Sequence, residues 1–135
     1  VVIGNENIYV PSKVSTPSLV VENYLKHLAK EEFTNTANSY CDKLGVSYSK
    51  IKLRDPRSRW GSCSFNGNLM FSWRLIMAPK NIIRYLVAHE VAHLKHFNHS
   101  IDFWTAVLFL FGPYENERKW LRTEGTKLHF YKFKG

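Results

Sequence analysis

Cysteine is scarce in this chain: Cys41 and Cys63 are the whole supply. Two are too few for a disulfide framework, so a packed core must hold the fold, and both read as thiols kept reduced in a cytoplasm. Long apolar runs are also missing. The longest, AVLFLF, spans only Ala106 to Phe111, far short of the roughly 20 residues of a membrane helix. No basic, apolar and small-residue leader opens the sequence, and it contains neither repeats nor low-complexity stretches. We therefore expect a cytoplasmic protein with no membrane association. The first residue is Val1 rather than Met, and we expect the natural chain to begin earlier.

Acidic side chains are outnumbered, 11 against 19 basic ones, for a formal charge of +8. A surplus of this kind steers polyanions and phosphate compounds toward the surface, and it also simply keeps a protein soluble. What the chain has in quantity is apolar and aromatic side chains, 44% and 15% of 135 residues. That is enough for one core, and we expect a single domain over residues 1–135.

Val1 to Val10 reads as a hairpin around Gly4-Asn5-Glu6-Asn7, followed by a linker over Pro11 to Ser18. Leu19 to Leu44 has helical spacing, with Leu19, Val20, Tyr24, Leu28 and Ala29 on one side and Gly45 as the stop. Strands follow. Ile51 and Leu53 alternate with Lys52 and Arg54, and Arg59–Phe65 and Leu69–Trp73 flank Asn66-Gly67, a strong hairpin signal. Pro79 opens a helix reaching about Lys95 or His96. Two more are expected, from about Ser100 to Phe111 and from about Tyr114 to Glu124, with Gly112-Pro113 between them. The tail from Thr126 is basic and aromatic and reads as a last strand or packed segment.

His89-Glu90-Val91-Ala92-His93 is an H-E-x-x-H pattern on the Pro79 helix. Residues four apart share a helical face one turn up, so two imidazoles can reach one ion, with a carboxylate beside them to hold water. Both histidines fall at the edge of the buried stripe, where an unliganded polar pair costs stability. A catalytic zinc takes a third protein ligand and leaves one position for water. His96 lies roughly 10 Å of helical rise beyond His89 and cannot converge with both. His99 can return if the chain turns at Phe97-Asn98, where asparagine tolerates the left-handed conformation. The spacing from His89 to His99 equals that of the H-E-x-x-H-x-x-G-x-x-H metalloproteases, with His96 in place of their turn glycine. Glu115 and Glu117 remain as alternative third ligands.

Around this helix, Arg59-Trp60-Gly61-Ser62-Cys63-Ser64 precedes Trp73-Arg74-Leu75 and Ala78-Pro79, and HEVAHLKHFNHSIDFW runs from His89 to Trp104. In that order the signatures resemble the YgjP-like predicted metallopeptidase family, over about Ile51 to Gly125, with the SprT-like proteases as more distant relatives. The resemblance implies His89, His93 and His99 as zinc ligands and Glu90 as the catalytic glutamate.

Other residues near the motif have competing roles. Asn68 to Trp73 is our candidate edge strand for holding an extended peptide by main-chain pairing. Arg54, Arg57, Arg59 and Arg74 form either a solvated edge or a clamp for phosphate or carboxylate. We take Arg57, Arg59, Arg74 and Trp60 as candidate substrate contacts. Trp60 and Trp73 otherwise serve as core or pocket wall. Asp102 is a candidate to orient a ligand histidine, and Cys63 is set aside as a ligand because the histidines suffice.

The expected fold is α+β and zincin-like: a small, mostly antiparallel sheet packed on the active-site helix, with helices before and after. The expected function is zinc-dependent hydrolysis, with a zinc-held water as nucleophile and Glu90 as general base. A polypeptide is the favoured substrate. Two rivals are a nucleotide phosphoanhydride hydrolase on the same metal centre and a nucleic-acid-binding module with structural zinc.

Overall fold

A computed structural model describes residues 17–56 and 59–124. The expected hairpin at Val1–Val10, most of the linker after it, Arg57 and the tail from Thr126 lie outside the described residues. The elements in chain order are α1 (Pro17–Leu44), β1 (Lys50–Arg54), β2 (Gly61–Cys63), β3 (Asn68–Ser72), a 3-10 turn at Trp73–Met77, α2 (Lys80–His93), α3 (Ile101–Leu110) and α4 (Glu115–Thr123). None of the described helices is long and apolar enough to cross a membrane.

Leu25, Ala29, Phe33, Ala37 and Cys41 are the buried apolar residues of α1. They follow one ridge of residues four apart, and the small Ala29 and Ala37 let the neighbouring layer approach. Only Ala29 belongs to the face expected from the first turns; Leu19 points outward. The helix ends where Gly45 takes φ +76 and Val46 N–H donates to the Cys41 carbonyl at 3.0 Å. That six-residue closure is the glycine-dependent stop of a Schellman motif.

The sheet has the order β1-β3-β2. β3 runs parallel to β1, with Ile51 opposite Leu69 and Leu53 opposite Phe71. It runs antiparallel to β2, with Gly61 opposite Phe71 and Cys63 opposite Leu69. The α+β class stands as expected, and the sheet is mixed. The hairpin at Asn66-Gly67 forms as a three-residue loop: Gly67 N–H donates to the Ser64 carbonyl at 3.0 Å and Ser64 N–H to the Asn68 carbonyl at 2.9 Å. Gly67 sits at φ +82, the left-handed position such a loop requires.

One expectation is corrected here. Asn68–Trp73 is not an edge: β3 is the middle strand, its main chain paired on both sides. Alternation of buried Leu69 and Phe71 with the less buried Asn68 and Met70 marks a strand with one buried face, and an interior strand shows it as readily as an edge strand. Among the described residues the edges are β1 and β2. Leu69 and Phe71 face the helices, and Phe71 stacks on Phe33 of α1 with ring centroids 4.5 Å apart.

α2 lies at the centre and touches α1, α3, α4, β2 and the 3-10 turn. Ile82, Ile83, Leu86, Val87, Val91 and Ala92 are buried along it, so it is apolar on more than one side; Lys80, Asn81 and Arg84 of its first turns are exposed, and in its last turn only His93 is half-buried rather than buried.

Candidate metal centre

His89 and His93 stand one helical turn apart on α2, with ring centroids 5.0 Å apart. The helix stops at His93, and His96 N–H donates back to the Ala92 carbonyl at 2.9 Å as the chain turns. Among the described residues no non-glycine has positive φ, so the turn is made without the left-handed Asn98 that the sequence suggested. Ser100 then caps α3, its side chain accepting from Phe103 N–H at 3.3 Å. This capping bond fixes where α3 begins, and His99 is the residue just before it.

The result is convergence. His89, His93 and His99 each offer one ring nitrogen, and these atoms lie within 4.8 Å of one another. Nε2 of His93 is 3.1 Å from Nε2 of His99. Nδ1 of His93 lies 3.1 Å from the carbonyl of His96. A carbonyl only accepts, so Nδ1 carries the proton and the neutral ring presents the bare lone pair of Nε2 to the cluster. Burial pulls the His93 pKa below its ordinary value, against the His96 hydrogen bond that raises it. Its neutral, ligating form is therefore favoured.

Glu90 is 4% exposed, and its Oε2 lies 3.1 Å from Nδ1 of His89. The strand above makes room for it. A Cβ on Gly61 would meet the Met70 carbonyl at 3.1 Å and both Glu90 Cγ and Leu86 Cδ2 at 3.3 Å. Glycine there lets β2 settle directly on the Glu90 turn of α2. Cys63 follows on the same face, its thiol pushed up to about 11, first by burial and then by the charges of Glu90 and Cys41. It is a neutral thiol beside the site, outside the group of converging donors.

Phe103 is a further residue of this centre, and no motif in the sequence marks it. It is fully buried, and its ring centroid lies 5.0 Å from that of His89, 4.4 Å from His93 and 4.9 Å from His99. One side chain thus supports all three imidazoles. Its helical spacing signals burial, and nothing local announces what it is buried against. Tyr85, with its ring 6.1 Å from His89, has its phenol pushed up to about 12, chiefly by burial.

The remaining candidates are placed elsewhere. Asp102 is exposed on the first turn of α3, and it is the His96 backbone that meets the His93 ring. Glu117 accepts from Asn81 Nδ2 at 2.8 Å, and Glu115 is exposed; neither joins the histidines. Arg54 and Arg59 line an open cavity of about 530 Å³ with Ser62 and Met70. Ser62 is paired with Met70, and by strand alternation this is the face opposite Gly61 and Glu90. Arg74 is turned into the protein, with Nε donating to Asp55 Oδ1 at 2.7 Å and Nη2 to Oδ2 at 3.1 Å. Its guanidinium also lies 4.8 Å from the Trp73 ring. Arg54, Arg59 and Arg74 are therefore not gathered around the histidines. Trp60 is half-buried against the core, its carbonyl accepting from Ser72 N–H at 2.8 Å.

Comparison with known proteins gives a consistent picture. Residues 5–124 match the family described as YgjP-like, metallopeptidase domain. The crystal structure of the metallopeptidase zymogen of Pyrococcus abyssi abylysin superposes with a TM-score of 0.60 at 23% identity, covering 72% of this chain and 95% of that one. The metallopeptidase zymogen of Methanocaldococcus jannaschii jannalysin superposes with a TM-score of 0.56 at 20% identity, covering 70% and 94%. These likenesses show a shared fold. No curated protein matches significantly.

Proposed function

The chain belongs to the YgjP-like metallopeptidase family, and from that premise we propose that it is a zinc-dependent peptidase in which His89, His93 and His99 hold the ion and Glu90 is the general base. The observation that carries this reading is the convergence of three imidazole nitrogens within 4.8 Å beside a buried carboxylate. The donor set suits zinc. Imidazole nitrogens bound at 2.0–2.1 Å in a tetrahedron stand about 3.3 Å apart along an edge, close to the 3.1 Å between His93 and His99. Three neutral nitrogen ligands also leave one position free, as catalytic zinc requires and structural zinc does not.

Zinc held there supplies Lewis acidity toward water and toward a peptide carbonyl. The chain's own residues do the rest. Glu90 accepts a proton from the attacking water and passes it to the departing amine, one carboxylate serving both steps. The His96 carbonyl keeps the proton of His93 on Nδ1, away from the ligand atom. The outer edge of β2 takes the role expected of β3. An extended polypeptide adding to it would lie beside the helix that carries Glu90.

The rival nucleotide reading drew on the arginines, and it weakens because Arg54 and Arg59 face away from Glu90 while Arg74 engages Asp55. Glu90→Gln tests the peptidase reading directly. The zinc content should stay at one per chain by elemental analysis, while hydrolysis of an unfolded polypeptide falls by roughly 10²–10⁴-fold. Full peptide cleavage in that variant, or Glu90-dependent release of phosphate from nucleotides without peptide cleavage, would overturn it.

A further inference from the structure

α3 carries two sets of apolar side chains. Phe103, Ala106, Val107 and Leu110 face the core. Ile101 and Leu108 face outward, 86% and 51% exposed, and with Thr105 they follow the i, i+4, i+7 row of the opposite side. Large apolar residues aligned in water are costly and mark a surface built to be covered. This row is not isolated. It lines an open groove of about 370 Å³ together with His99, Ser100, Trp104 and Tyr114.

The groove therefore includes a residue of the histidine cluster, His99, beside an aliphatic row and two aromatic rings. No lysine, arginine, aspartate or glutamate side chain lines it, so a lysine entering it finds no carboxylate partner. Its volume accommodates a phenylalanine or leucine side chain and would leave a glycine or alanine residue poorly packed. Trp104 is held by the Arg118 guanidinium, 4.7 Å from its ring, and by Tyr114 at 5.0 Å between centroids, so the aromatic pair is packed in place before any ligand arrives.

We propose that this groove is the subsite for the side chain adjoining the scissile bond, and that it selects aromatic or large aliphatic residues. The inference rests on the peptidase reading, and it commits to a substrate side chain as occupant because His99 is part of the groove itself.

The test uses the zinc-loaded full chain and three small probes, the hydroxamates of N-acetylated phenylalanine, glycine and lysine. Their Kd values are measured by calorimetry, and a peptide library is digested in parallel. The phenylalanine probe should bind at least about tenfold more tightly than the glycine probe, the lysine probe no more tightly than glycine. Cleavage should cluster beside Phe, Leu and Met. Leu108→Glu, an outward-facing change, should remove the advantage of the phenylalanine probe over the glycine probe. Selective binding without Glu90-dependent cleavage would uphold the subsite and sink the peptidase reading instead. Equal Kd values for the three probes, or an unaltered preference in Leu108→Glu, would overturn the subsite. So would a dimer abolished by Leu108→Glu with no side-chain preference, since the row would then serve self-association.

Discussion

Nδ1 of His93 hydrogen-bonds the backbone of His96, at 3.1 Å from the carbonyl oxygen, and not its side chain. The contact survives any substitution that keeps the backbone path. We expect His96→Ala to change zinc affinity by less than tenfold, and His99→Ala to lower it by more than the 10–100-fold typical of losing a supporting contact. Competition with a chelator of known affinity gives both numbers. Equal losses in the two variants would mean that the His96 ring, rather than its carbonyl, matters to the metal.

The tight seating of β2 on α2 predicts that Gly61→Ala costs stability and activity together. The added methyl group meets a backbone oxygen at 3.1 Å as well as the Glu90 and Leu86 side chains, and the backbone is the least able to yield. A loss of about 1–3 kcal/mol is expected from overpacking, with kcat lowered and the zinc content kept. Denaturant melts and metal analysis on one preparation check all three, and an unchanged kcat would separate Gly61 from the placement of Glu90.

The Arg74–Asp55 pair should matter to stability and little to the metal. The arginine side chain is 9% exposed and the aspartate 40%, so the loss expected for Asp55→Ala is about 1–3 kcal/mol, below that of a fully buried pair because solvent screens one partner. Zinc affinity in Asp55→Ala should stay within about twofold, given that His93 and its neighbours keep their own supports. A large fall in zinc binding with normal stability would return Arg74 to the active centre.

Both thiols favour the protonated state in the fold. Cys41 and Cys63 are each pushed up to about 11 from 9.0, first by burial. A raised folded pKa contributes stability that is complete below pH 9 and is lost as pH climbs toward 11. We expect the melting temperature to fall across that window. Iodoacetamide should label the native protein slowly at pH 8 and the urea-unfolded protein readily. Rapid native labelling of Cys63 at pH 8 would show its thiol to be less buried than the fold places it.

The parts of the fold that were legible in the sequence are those encoded locally. His89 and His93 are close because a helix makes every fourth residue a neighbour, and Asn66-Gly67 closes a hairpin through its own turn chemistry. Gly45 ends α1 and Ser100 starts α3 for equally local reasons. What could not be read depends on distant partners. Lys50 to Arg54 pair with Asn68 to Ser72 in parallel, and no nearby residue signals that register. Arg74 looked available for substrate because its partner, Asp55, is far back in the chain. Phe103 showed its burial by spacing, but its position beneath three imidazoles depends on how α3 crosses α2.

The β1-β3-β2 order also bears on how the chain acquires its structure in time. The β2–β3 hairpin closes a short loop, whereas β1 must find β3 across the whole intervening segment, from Lys50 to Asn68 at the start of the register. Short closures lose less chain entropy, so we expect the hairpin to form early in the folding nucleus and β1 to dock onto it afterwards. Gly67→Ala, which strains the turn at φ +82, should slow folding in stopped-flow chevrons. Ile51→Val, on β1, should mainly hasten unfolding. The reverse pattern would place β1 in the nucleus. In the hairpin-first order, the strand that carries Gly61 over Glu90 is in place before the sheet is complete.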